Sequence, residues 1–287
     1  DEAAANKLAI AQGLGVVLSG AIEKQGGSYS VSLKATQAVT GKVVSDAKAR
    51  ASGPDQVIPA ATKTVGTIRK ELGDRTTNND QFFAMMSLST SSLEVVRFYA
   101  AAQEATMNNK TDEATANLLK AVEVEPKFGV GYLALAGIHR NLGKLDDARK
   151  YIDKALENLD GMTERERLTA RGMFYRITGD YKQCVAEHGE LIKRYAADVI
   201  GRNQLAICAS QLRDLTRARE EMRAVTSILQ KRAIFRDNLA FYSNYQSDFA
   251  AGEQEARKVI DFAPADTFSQ LALAQAQSGQ GQIADAI

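Results

Sequence analysis

Between residues 15 and 44 the hydrophobic pattern shifts to a period of two, clearest from Tyr29 to Ala35, the signature of strands with one covered face. Residues 15–22 read as a strand, and Gln25-Gly26-Gly27-Ser28 as a hairpin turn. Tyr29, Val31, Leu33 and Ala35 then alternate with polar neighbours, and Thr40-Gly41-Lys42 turns the chain into a third strand through Val43 and Val44. A helical stretch from Ala3 to Gly13 precedes these strands. Behind them Val57, Ala60, Ala61, Val65 and Ile68 recur at helical spacing and stop near Gly73. Residues 1–73 are therefore expected to form a small α/β domain ordered helix, three antiparallel strands, helix. Its core is modest, and it reads as the remainder of a larger domain truncated at the N-terminus.

Further along, the pattern is a repeat. A small residue returns at Ala114, Ala148, Cys184, Ala218, Gly252 and Ala286, in steps of 34, 36, 34, 34 and 34. Twelve residues before each stands another small one: Ala102, Ala136, Gly172, Ala206, Ala240 and Ala274. Turns lie between them at Gly143, Gly179, Ser247 and Gly281, and Pro126 and Pro264 stop second helices. Such a unit is a pair of antiparallel helices whose small residues let the backbones approach while Tyr132, Leu135, Leu145 and Ile152 fill the space around them. One pair cannot bury its apolar face alone, so successive pairs stack into an α-solenoid. The expected class is thus mainly α, preceded by the α/β domain, with residues 74–94 as linker and 95–287 as solenoid. About five and a half repeats fit, the last reading as cut short one residue after Ala286.

This spacing resembles the tetratricopeptide repeat, with residues 129–162 placing Tyr132, Leu135, Ala136, Gly143, Leu145, Ala148, Ile152, Ala155 and Leu156 where that family has aromatic, apolar or small groups. There are departures. Trp is absent, Arg202 and Arg236 stand in an aromatic slot, and Arg171 replaces a Leu, so looser packing is expected in those repeats. The 36-residue step predicts a longer turn around 160–163. The strand segments at 15–22, 29–33 and 39–43, with 162–167 and 178–181, also resemble the α/β-plus-repeat extracytoplasmic region of bacterial Ser/Thr-kinase or adenylate-cyclase receptors. That second resemblance implies a periplasmic or extracytoplasmic sensor region; without it a cytoplasmic location stands equally.

Charge narrows the partners. Thirty-six Lys and Arg balance 35 Asp and Glu for a net charge of +1, which gives no field for nucleic acid or anionic lipid. No apolar run is long enough to span a bilayer. The chain starts at Asp1, read as a processed or partial product. Within the linker the apolar run at 81–86, with Phe82 and Phe83, reads as a packed segment or a docking patch.

Candidate chemistry is thin. Gly13, Gly15 and Gly20 leave a helix and enter a strand, the reverse of a dinucleotide fingerprint. His139-Arg140-Asn141 and the run at 261–264 echo kinase loops but sit in repeat register. Cys184 and His188 share a helix face, yet two ligands do not make a metal site, and burial as packing groups is the expectation. No catalytic set, metal or cofactor is assigned, and the chain is not read as an enzyme.

What remains is the concave face. If Phe98, Ala102 and Ala105 face the partner helix, then Tyr99, Gln103 and Met107 line the adjacent stripe. The register carries this to Leu133, Arg140 and Asn141; to Met173 and Arg176; to Asn203, Ile207 and Gln211; and to Asp237, Phe241, Asn244 and Tyr245. Aromatic, Met, amide and Arg side chains suit a peptide-binding groove. They do not reproduce the Lys and Asn clamp of some tetratricopeptide proteins. The expected function is a noncatalytic protein-interaction scaffold holding a peptide or protein. The alternatives are a receptor sensor region or a structural accessory subunit of a larger, membrane-associated assembly.

Overall fold

Gln25 and Ser28 close the first hairpin as a cross-strand pair, and between them Gly26 takes φ 65°, the left-handed first position that a two-residue type II′ loop requires. The computed structural model describes residues 2–11, 14–73, 89–90 and 92–284. Residues 74–88, which hold most of the expected linker and its apolar run, lie outside them, as does Ala286. The chain divides into two compact units, Asp1–Ile177 and Thr178–Ile287.

In the first unit the strands β1 (Val16–Gln25), β2 (Ser28–Gln37) and β3 (Val43–Ala51) form one antiparallel sheet in that order, with the register breaking between Ala35 and Thr36. Alternation gives the sheet two faces. Helix α2 (Val57–Glu71) covers one, packing Val57 and Ala60 on Val31 and Ala51, and Ile68 on Ala35 and Ala47. Helix α1 (Glu2–Ala11) lies against the other through Ala9 on Val17, with Glu2 reaching Lys34 and Thr36. Helix, three strands, helix is the expected order.

The helical part of this unit comprises α3 (Leu93–Met107), α4 (Thr111–Val124), α5 (Gly129–Asn141), α6 (Leu145–Glu157) and α7 (Glu164–Thr178). The small residues predicted as contact points, Ala102, Ala114, Ala136 and Ala148, are all buried. Around them Leu118, Tyr132, Leu135, Ile152 and Met173 make one core. The two extra residues of the 36-residue step form a 3-10 turn, Leu159–Gly161. Thr163 and Glu166 then cap α7 reciprocally, and the other oxygen of Glu166 accepts from the Ser89 amide at 3.2 Å.

The second unit comprises α8 (Tyr181–Arg194), α9 (Val199–Gln211), α10 (Leu215–Ile228), α11 (Ala233–Tyr245), α12 (Phe249–Phe262) and α13 (Thr267–Gly279). Every one of these helices except α11 starts on an Asp whose carboxylate accepts an amide of the first turn, from Asp180 to Asp266. Ala206, Ala218, Met222, Val225 and Leu239 form its main core. Cys184 on α8 and Cys208 on α9 are joined by a disulfide, so Cys184, expected as a packing group, is also a covalent link between helices. No strand occurs after residue 95 among the described residues.

One conformational signature runs through both units. Asn109, Gly143, Gly179, Arg213, Ser247 and Gly281 all have φ between 57° and 83°, and each stands five residues before the recurring small position. The left-handed residue is therefore a property of the repeat, filled by glycine at only three of six places.

At Arg202 and Arg236, where looser packing is expected, polar bonds fill the slot. Arg202 donates to the Ala196 carbonyl and pairs with Glu221; Arg236 donates to the Gln230 carbonyl and pairs with Glu255. Each guanidinium reaches the carbonyl six residues back and a Glu of its own repeat's second helix. Gln270, in the same slot, likewise donates to the carbonyl six back, that of Pro264, at 2.8 Å. The polar slot is filled by a repeated bonding pattern in place of a ring.

Candidate functional site

The groove residues expected in the first unit separate into three kinds. Gln103, Met107 and Asn141 are exposed. Tyr99, Leu133 and Arg140 are half-buried, Tyr99 standing edge-on to Phe128 with ring centroids 5.6 Å apart. Burial lifts the pKa of the Tyr99 phenol, and a hydrogen bond with Gln103 works against that rise. Met173 and Arg176 are buried, which corrects the expectation of solvated side chains there. Met173 belongs to the core, packed in the cluster of Tyr132, Leu135 and Ile152.

In the second unit the first helices of successive pairs lie side by side. Asn238 on α11 donates to Asn203 on α9 at 2.9 Å, and Asn244 on α11 donates to the Ala272 carbonyl and the Gln275 amide oxygen of α13. Asn203 and Ile207 are half-buried, and Gln211 is exposed. Phe241 stacks on Tyr245, and Tyr245 is more than half exposed. Asp237 and Asn244, expected on the open face, are buried. Asn244 is consumed in holding α13. The Oδ1 of Asp237 has no hydrogen-bond partner, and burial, with Asp266 adding repulsion, pushes its pKa up to about 7.

A further set was missed. Six residues before the small positions Ala206, Ala240 and Ala274 stand Ile200, Ile234 and Phe268, spaced 34 apart and about half exposed, at 50%, 49% and 58%. Leu271, 59% exposed, lies three residues beyond Phe268 on α13. Because α9, α11 and α13 are neighbours, this equivalent position makes an apolar ladder across one side of the unit. The signal was in the sequence. The groove stripe drawn from the register starts three residues before the small position, one helical turn short of this set.

No three His, Cys, Asp or Glu side chains gather as a metal-ligand set among the described residues. Nor is any helix among them long and apolar enough to cross a membrane.

Residues 131–158 match the model of the tetratricopeptide repeat. No curated protein matches the chain. Among solved structures, the fold is similar to that of PilW, a widely conserved type IV pilus biogenesis factor, at 14% identity and a TM-score of 0.51, covering 68% of this chain and 89% of that one. It is also similar to a chain of the APC/C hetero-tetramer Cut9-Hcn1, at 12% identity and a TM-score of 0.52, covering 75% of this chain and 42% of that one. At these identities the likeness is one of fold. Neither is a receptor kinase or cyclase, so the second resemblance gains no support from them.

Proposed function

We propose that this chain, which carries tetratricopeptide repeats, is a noncatalytic scaffold that holds an extended segment of another protein against the first helices of its repeats. The observation that carries this is the ladder Ile200, Ile234 and Phe268. Three large apolar side chains at one repeat position, half in water, are costly to leave uncovered and offer evenly spaced anchors. Further along the same helices Ile207, Phe241 and Tyr245 add apolar and aromatic area, while Asn203 and Asn238 supply amide groups. Taken by itself, the first unit offers Arg140, with Leu133 and Asn141 in the same register, to an acidic peptide stretch.

The disulfide supports placing this activity in an oxidising, extracytoplasmic compartment, since such bonds persist there and are rare in a reducing cytosol. The likeness to a pilus biogenesis factor agrees with service in a membrane-associated assembly.

The test begins with a partner identified by co-purification and mass spectrometry, followed by a binding titration. Ile234→Asp combined with Phe268→Asp should weaken binding at least tenfold while leaving the melting temperature within a few degrees, because both side chains are half exposed. Unchanged affinity in a folded variant would move the contact surface to the opposite side of the repeats.

A further inference from the structure

The free edge of the sheet carries a second surface. Among the described residues strand β3 pairs only with β2, so along its outer edge alternate backbone N–H and C=O groups have no described strand to bond. Between that edge and the flank of α2 runs an open groove of about 690 Å³, lined by Lys48, Arg50 and Ser52 from β3 and its end, Ser28 from β2, and Pro59 and Lys63 from α2. Three cations converge there from two elements, and among the described residues no carboxylate lines the groove. Among the described residues none of the three is in an ion pair; Arg50 donates only to the Ser28 hydroxyl, at 3.3 Å.

The order of charges is specific. Lys48 and Arg50 are two apart on a strand and so stand on one face, opposite Ser32 and Ser30 of β2, while Ala49 and Ala51 between and beyond them turn to the face that α2 covers. Asp46 precedes them on the charged face, opposite Lys34, which is already engaged by Glu2. A strand laid along β3 would put alternate side chains directly opposite Lys48 and Arg50, about 5 Å away, and the intervening ones over Pro59 and the Lys63 stem.

We infer that the β3 edge is a docking site for an extended acidic segment of a partner protein, which adds as a fourth strand with two carboxylates, two residues apart, opposite Lys48 and Arg50 and small apolar residues between. Lys63 adds a third positive charge at the groove's other wall. Charge complementarity selects this occupant: a second copy's β3 carries two cations and one acid along the same stretch and would add cations to a groove that already holds three. This surface lies in the α/β part and is independent of the apolar ladder.

The probe is a fluorescein-labelled seven-residue peptide alternating Glu with Val, titrated with the full chain at low salt and followed by anisotropy. Saturable binding is expected, weakened at least tenfold by Lys48→Glu with Arg50→Glu and at least fivefold by Lys63→Glu. The variants should melt like the parent, the substituted side chains being exposed. A peptide of the same sequence N-methylated on the amides facing β3 should bind at least tenfold more weakly. Equal binding of that peptide would overturn strand addition and leave an unspecific ionic contact. So would displacement of the parent peptide by millimolar inorganic pyrophosphate with no loss on N-methylation. Dimerisation of the chain abolished by the double charge reversal, in sedimentation velocity, would give the edge to a second copy and overturn the inference. Loss of peptide binding in Phe268→Asp would assign the peptide to the helical repeats instead.

Discussion

The pair Arg202–Glu221 permits a measurement of what holds these repeats together where an aromatic ring is missing. The Glu221 side chain is 6% exposed and that of Arg202 19%, so both are largely withdrawn from water. Removing one partner strands the other's charge, which costs about 3 to 5 kcal/mol in buried pairs. Arg202 keeps the Ala196 carbonyl and some solvent, so Glu221→Met should sit at the lower end, about 3 kcal/mol, or roughly 10 °C in melting temperature for a unit of this size. Arg202→Leu should cost less, about 2 kcal/mol, because Glu221 retains Arg217 at 2.9 Å. The double variant exchanges the pair for packed apolar groups and should return to within about 1 kcal/mol of the parent. A coupling of about 4 kcal/mol follows from these three values. Thermal and urea unfolding give the totals, and hydrogen exchange of α9 and α10 localises them, which matters because repeat arrays need not unfold in one step. If Glu221→Met costs under about 0.5 kcal/mol, or the double variant costs the sum of the singles, the pair is ornamental and the slot is held by apolar packing alone.

Other outcomes follow from the same structure. The disulfide closes a sequence separation of 24, worth about 3.5 kcal/mol of unfolded-state entropy, so Cys208→Ser should lower stability by about that much and make the melt insensitive to dithiothreitol, which should destabilise the parent. Arg213 holds φ 63°; Arg213→Gly should stabilise by about 1 kcal/mol in urea unfolding, and Gly143→Ala, at φ 73°, should destabilise by a similar amount. Asp237 retains its proton in the folded chain up to about pH 7, whereas the unfolded chain releases it near pH 4. Its contribution is therefore fullest at low pH and is lost as pH rises through 7. Asp237→Asn should flatten that part of the stability-versus-pH curve.

The repeat architecture was legible because small residues at 34-residue intervals have one mechanical purpose, close approach of helices. The strands were legible for a similar reason, since Tyr29, Val31, Leu33 and Ala35 alternate against a single covering helix. Less was legible where the cause lies between elements. Asn109 and Arg213 are left-handed because the turn demands it, and neither residue type announces that conformation as glycine does. Cys184 and Cys208 each sit at a packing position of a different helix, and only their Cα separation of 6.1 Å makes them partners. Met173 and Arg176 belong to a stripe that reads as open until α7 is seen packed on its neighbours, with Met173 in the core beside Tyr132 and Leu135. Asp237 and Asn244 sank for a comparable reason. Helical register says which way a side chain points, while the neighbouring helix decides whether water reaches it.

Gly252 ties two positions of the chain into a historical order. A Cβ added there would fall 1.8 Å from the Oδ1 of Asn244 and 2.7 Å from its Cγ, because that amide fills the space a side chain would otherwise use. The other end of the same amide bonds α13. Ala is found at this slot in four of the six repeats and Cys in another, yet here either would drive its Cβ into the Asn244 amide. Any lineage that replaces Gly252 must first shorten Asn244 and loosen α13, and any lineage that arrives at this pair from an Ala must pass through Gly before Asn. Related sequences should therefore show Asn at the first position only where the second is Gly, while Gly without Asn marks the intermediate from which both alternatives remain open.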